Sequence, residues 1–428
     1  MTTADHPATG LSIEPFRALR FTASGDGLAR RLSPPYDVID AAGVADLERA
    51  DPYNVVRLIL PRDDAPAAQD RYQRAATTLA AWRDAGVLAQ DDAAGLYVYE
   101  MSYRGHDADL RTRGLLAAVE LSPPDAGVIL PHENTMAGPV ADRLALTQAT
   151  EANLEAIYLV YDGGGSTAAM VAGVVAAAPI AEATTADGVT HRLWALTDHE
   201  AVAVVRADLS TRRAVIADGH HRYATYLRYQ AYRRDRGDGS GPWDRGLAFL
   251  VDARTAEPQV EAIHRVIASL PLATAVARAR DGFSVTAVDG PSDAALDRLR
   301  SAGQDGTAFL LTDGAQWYLV HAPDPRELEA AVPSDHAEAW RGLDVTVAHR
   351  LLIGRLWGLR DTEDVVDFEH DPPVAVARAA AAGGTALLLN PTPVADVAAV
   401  ATAGERMPRK STLFTPKPAT GLVIRPLR

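Results

Sequence analysis

The sequence contains no cysteine. Disulfide frameworks, thiolate metal sites and cysteine nucleophiles are therefore excluded together, and any catalysis must use oxygen or nitrogen groups. Long apolar runs are missing too. Residues 168–180 are alanine-rich and fall short of the roughly 20 residues that span a bilayer, so no membrane segment is expected. The first ten residues hold no basic run followed by an apolar stretch; neither a secretory signal nor a transit peptide is expected, which makes the cytoplasm the expected address. Lysine is scarce, and an excess of positive charge is absent. The 42 Lys and Arg residues face 56 Asp and Glu residues, for a formal net charge of −14. Broad attraction to nucleic acid phosphates is not expected of such a chain, although a local basic patch can still hold a small anion.

What is present is a globular composition, 47% apolar and 23% charged over 428 residues, enough for two to four units of roughly 100–200 residues each. Hydrophobic periodicity and turn residues predict strands over 11–21 and 54–60, a helix over 65–86, and a β-hairpin from 95–103 with 113–121. Beyond it come a helix over 141–149, a strand over 156–161 and a helix over 167–178. Strands over 192–196 and 213–217, a helix over 223–234 and a strand over 246–251 follow. A hairpin around Asp313-Gly314 joins 307–311 to 316–320. Helices over 346–359, 375–382 and 393–403 and a strand over 386–389 complete the pattern. The mixture reads as α+β (mixed α/β), divided into an N-terminal α/β region over 11–180, a motif-bearing region over 181–270, a smaller α/β unit over 271–380 and a closing segment over 381–428. Residues 421–428 resemble 10–17, so the two termini are expected to pair as neighbouring strands.

Asp218-Gly219-His220-His221-Arg222 follows an apolar strand and opens a helix. Such a corner gathers free backbone N–H groups and the positive end of the helix at one spot, which attracts anions. Gly219 permits close approach, His220 and His221 add donors, Arg222 offers a planar fork for phosphate oxygens, and Asp218 can take a proton or a metal. The alternative is a turn whose histidines cap the helix and whose arginine forms an ion pair. Pro34-Pro35-Tyr36-Asp37 is a constrained turn that either aims Asp37 or merely stiffens the surface. His132-Glu133-Asn134-Thr135-Met136 begins like a zinc-peptidase motif, but Met136 stands where the second histidine belongs, so that chemistry is rejected. Glu133 remains a candidate base or magnesium ligand, or part of a cap for the helix that carries Arg143. Residues 404–412 imitate a P-loop but have Arg409 in place of the second glycine and follow a helix. Arg406, Arg409, Lys410, Ser411, Thr412 and Lys417 are nonetheless a basic, hydroxyl-rich cluster suited to polyphosphate oxygens, or else a solvated tail.

Taken together, Pro34-Pro35-Tyr36-Asp37-Val38, Leu130-Pro131-His132-Glu133-Asn134-Thr135, Asp218 through Arg222, Asn390-Pro391-Thr392 and Met407-Pro408-Arg409-Lys410-Ser411-Thr412 resemble the domain of unknown function 1015 family over nearly the whole chain. The Asp-Gly-His-His-Arg element is also similar to that of free-serine kinases with a ParB/sulfiredoxin-like fold. The resemblance implies a ParB/sulfiredoxin-like core with additional α/β units, and a small-molecule kinase that passes a phosphoryl group from pyrophosphate or ADP/ATP, with Mg²⁺, to a hydroxyl such as that of free L-serine. It implies a catalytic set of Asp218, Glu133, Asp37 and His221. The phosphate-binding set would be Gly219, His220, Arg222, Arg143, Lys410, Ser411, Thr412 and Lys417; the metal ligands stay unassigned. Ala262-Ile263-His264-Arg265 departs from the pattern, which has Pro-Thr before the His-Arg pair. A ParB-like nucleotide-binding switch or interaction protein without kinase activity is the competing reading, and its need for a basic surface runs against the net charge. Sulfiredoxin-like repair is excluded by the missing cysteine. Neither nucleic acid nor membrane is an expected partner, and the oligomeric state is not readable.

Overall fold

Alternating Tyr, Val and Leu residues around a polar turn make the hairpin of Leu96–Arg104 with Asp109–Glu120, in a register that sets Tyr97 opposite Leu116 and Tyr99 opposite Gly114. This hairpin sits inside a nine-stranded mixed sheet. The order runs Ile129–Leu130, Ala214–Asp218, Ile157–Tyr161, Arg245–Asp252, Asp109–Glu120, Leu96–Arg104, Thr190–Leu196, Ala181–Thr184, with Ile13–Glu14 attached to Asp109–Glu120. The computed structural model describes residues 10–62, 70–105, 108–255, 258–362 and 364–428. It divides into two units, 1–258 with 416–428, and 259–415. Residues on both sides of position 180 contribute strands to the large sheet of the first unit.

The helix His199–Leu209 shows how the core forms. Asp198 caps it by accepting the Ala201 N–H at 2.8 Å, and Val202, Val205 and Leu209 bury one stripe in the same cluster as Leu96, Leu115 and Leu250. Each such side chain contributes about 1.5–3 kcal/mol when fully buried. In the second unit a six-stranded antiparallel sheet runs Phe283–Ala287, Trp317–Pro323, Ala308–Thr312, Thr385–Leu389, His264–Ile267, Asp367–Glu369. Helices Ser292–Gly303 and Pro372–Ala382 cover it through Ala295, Leu299, Ala375 and Ala379. The architecture is mixed α+β. Among the described residues no helix is long and apolar enough to cross a membrane.

Two local expectations change. The apolar run over 54–60 forms a helical turn, Val56–Ile59, instead of a strand. Asn54 is fully buried, its amide donates to the carbonyls of Arg30 and Leu32, and its Oδ1 accepts the Val56 N–H, so a long-range cap outweighs the β-branched composition. Among the described residues, segments 10–21 and 421–428 meet at one isolated bridge and not along a ladder. Leu19 and Ile424 exchange two 2.9 Å hydrogen bonds, while Ile13–Glu14 pairs with Asp109–Glu120 and Arg425–Pro426 with Ala152–Asn153. The expected helix over 65–86 is observed as Arg71–Asp84; its first residues lie outside the described ones.

Candidate functional site

Ala214-Val215-Ile216-Ala217 are buried between a parallel neighbour, Ile129–Leu130, and an antiparallel one, Ile157–Tyr161. The register slips between Ile216 and Asp218, so the ladder ends in an irregularity that re-aims Asp218. Gly219 follows at φ +93, a left-handed conformation, and a Cβ there would stand 3.1 Å from Arg222 Nε. Only glycine meets both demands. The helix His220–Asp235 therefore starts three residues before the expected 223 and places both histidines and Arg222 in its first turn, where backbone N–H groups lack helical partners.

A cation in the first turn opposes the helix dipole. Arg222 is held there because Nη2 donates to Asp218 Oδ2 and Nη1 to the Ala156 carbonyl; its buried Nε has no acceptor among the described residues. The second cation comes from the other end of the chain. A Ser33–Thr420 bridge brings the closing segment beside the Pro34-Pro35 turn, and Lys417 Nζ reaches Asp218 Oδ1 at 2.7 Å and Asp37 Oδ2 at 3.2 Å. Burial pushes the Asp218 carboxyl up, and Arg222 and Lys417 more than reverse it, leaving it below the usual carboxylate range. Burial pushes Lys417 down, and Asp218 with Asp37 more than restores it, so the ammonium is held charged.

Glu155 anchors the turn that carries Asp37. It is buried, its Oε1 accepts the Tyr36 N–H at 3.0 Å, and its Oε2 lies 3.7 Å from Arg143. Burial raises its carboxyl, only partly offset by Arg222 and Arg143. Arg143, expected to bind phosphate, is committed to Asp142, to the Ile59 carbonyl and to the face of Tyr36, whose ring centroid lies 4.3 Å away.

The motif histidines hold a loop. His220 Nε2 accepts the His132 N–H at 3.2 Å, and His221 Nε2 accepts the Met136 N–H at 3.0 Å. An accepting Nε2 fixes both rings as neutral Nδ1–H tautomers. For His221 burial is the main influence lowering its proton affinity, with Arg222 adding to it against Asp37 and Asp218. Together they fasten residues 132–136 to the helix start, which sets Glu133 within 3.7 Å of His220 Nδ1 and 3.9 Å of His132 Nε2.

Of the residues singled out from sequence, Asp37, Asp218, Arg222 and Lys417 converge around Gly219, and His220, His221 and Glu133 line the adjoining loop. Lys410, Ser411 and Thr412 belong to the second unit. Glu155 and Tyr36 were missed; a lone carboxylate two residues before the all-apolar strand Ile157–Tyr161 was the available signal for Glu155. Among the described residues no group of three or more His, Asp or Glu side chains could by itself hold a metal ion.

No curated protein matches this sequence. Among solved structures, a mutant free serine kinase in complex with ADP is 12% identical, covering 69% of this chain and 88% of its own at a TM-score of 0.33. A conserved hypothetical protein from Pyrococcus furiosus is likewise 12% identical, covering 69% of this chain and 91% of its own at a TM-score of 0.31. A C-terminally truncated SbnI from Staphylococcus aureus is 11% identical, covering 72% and 86% at 0.33. Overlap this low carries no argument about activity. The family model described as Protein of unknown function (DUF1015) matches residues 13–346, well over half of the sequence, and the chain belongs to that family.

Proposed function

We propose that this protein is a phosphotransferase that moves a phosphoryl group onto the hydroxyl of a small molecule at the Asp218 corner. The observation that carries the reading is the convergence of Lys417 and Arg222 on one carboxylate at a helix start, with a second carboxylate, Asp37, sharing the same ammonium. Phosphoryl transfer asks a protein for positioning and for cations against the charge on the transferred group, and for little else. A donor phosphate would take Lys417 and backbone N–H groups at the start of the helix. Asp37, whose side chain is 34% exposed against 13% for Asp218, is then released to receive the acceptor's hydroxyl proton, while Asp218 stays paired with Arg222. The acceptor oxygen forms the new bond to phosphorus as the bond to the departing phosphate breaks. Asp37 and Asp218 also suit Mg²⁺, which is commonly held by one or two carboxylates plus phosphate oxygens and would supply further neutralisation of the donor.

The family resemblance makes free L-serine the first acceptor to test, and pyrophosphate, ADP and ATP the donors. Purified protein incubated with L-serine, Mg²⁺ and each donor in turn is expected to yield O-phosphoserine with at least one of them, read by mass spectrometry. Failure with every donor and with a panel of other small alcohols would overturn the proposal.

A further inference from the structure

The second unit contains a clamped basic loop that the Asp218 corner does not account for. Arg265, on the strand His264–Ile267, is 1% exposed, and its guanidinium donates to three neutral acceptors: His349 Nε2 at 2.9 Å, the Lys410 carbonyl at 2.9 Å and the Ile263 carbonyl. No carboxylate is bonded to this buried cation among the described residues. Burial pushes it down to about 9, with Asp361 opposing. Since His349 Nε2 accepts, its Nδ1 carries the proton and donates to Asp361 Oδ2 at 2.7 Å. Asp361 Oδ1 in turn takes Arg409 Nη2 at 2.9 Å. The relay Arg265, His349, Asp361, Arg409 thus closes on two consecutive residues, gripping 409 by its side chain and 410 by its carbonyl. Phe368 lies under both guanidinium groups, with centroid distances of 5.3 and 4.9 Å. His349 itself sits in a π-helix, Ala348–Leu356, an arrangement that is rare and recurs at functional sites.

The clamp holds Lys410 at φ +54, a left-handed conformation that strains a side-chain-bearing residue. Its side chain is exposed, and among the described residues it has no ion pair. Only two of the 42 basic residues are lysines, and the other, Lys417, is already seated between two carboxylates. A lysine that merely solvates a tail needs neither a strained backbone nor a buried arginine behind it.

We infer that the second unit presents Lys410, on its clamped loop, as a binding site for a phosphate-type oxyanion. The compact ammonium meets the phosphate oxygens, and the positive charge of Arg265 behind the loop lowers the energy of an anion placed there. The inference stands on the second unit alone and does not depend on the chemistry proposed at Asp218.

The scarcity of lysine makes the test clean. Trace acetylation of the full chain, read by peptide mass spectrometry, reports Lys410 and Lys417 separately. Pyrophosphate at about ten times its dissociation constant is expected to slow Lys410 acetylation about tenfold. Inorganic phosphate and ADP serve as parallel arms that distinguish a free oxyanion from a nucleotide. Protection should persist in Asp218→Asn and should be lost in His349→Gln with the circular dichroism unchanged. Equal Lys410 labelling with and without all three anions would overturn the site, and so would protection that disappears in Asp218→Asn, since the ligand would then be held by the other unit.

Discussion

Asp218→Asn is expected to lower kcat/KM for phosphoryl transfer by about a thousandfold, equivalent to about 4 kcal/mol of transition-state stabilisation. The substitution keeps the shape of the side chain and removes its charge. Arg222 and Lys417 both bond that carboxylate, so the variant loses the geometry of both cations in one step. The donor phosphate would then find Lys417 drawn wholly toward Asp37 and Arg222 free to turn away. Stability falls as well, because two cations lose their buried counter-charge. The decisive readout is therefore kcat per folded molecule, measured at a temperature where circular dichroism shows the variant native. A carboxylate with only a structural role would lower the melting temperature and leave that kcat within a few fold of the parent.

Arg222→Met carries the largest expected stability effect. The guanidinium is buried, with Asp218 and the Ala156 carbonyl as its acceptors, so removing it takes away one of the carboxylate's two cations and strands one carbonyl. Breaking a buried pair from one side costs about 3–5 kcal/mol. At about 2–4 °C per kcal/mol for a unit of this size, the melting temperature is expected to drop on the order of 10 °C. Lys417 still faces Asp218 in this variant, so the loss measures Arg222 specifically. A melting temperature within about 2 °C of the parent would mean that Asp218 needs no second cation, against its pairing with both Arg222 and Lys417.

How much of this was readable from the sequence depends on how far away each residue's partner lies. The Asp218 corner was legible because an apolar strand, an Asp-Gly pair and a helical pattern follow one another directly. The hairpin at 96–120 was legible for the same reason. The early start of the helix was not, because it follows from Gly219 at φ +93 making room for Arg222 to fold back. The Asn54 cap depends on carbonyls 22 and 24 residues away, and no local pattern encodes them. Glu155 stood out only as a lone carboxylate before an apolar strand, and its role stayed hidden because the N–H it accepts, that of Tyr36, is 119 residues distant. The two histidines read as hydrogen-bond donors to an anion, and His221 as a catalytic residue, because their side chains are competent for it. Their observed partners are backbone N–H groups on a loop 85 and 88 residues earlier, which local sequence does not announce. Lys417 was picked out by its basic neighbours, yet it works apart from them: the Ser33–Thr420 bridge delivers it to Asp37 and Asp218, while Lys410 belongs to the other unit.

The most direct measurement is a crystal structure of the protein soaked with pyrophosphate and Mg²⁺. A phosphate group is expected at the start of the helix His220–Asp235, with an oxygen about 2.7–3.2 Å from Lys417 Nζ and another accepting a first-turn backbone N–H. Asp37 should have let go of the ammonium. A phosphate-free corner with Lys417 still bridging Asp218 and Asp37 at a saturating ligand concentration would contradict it.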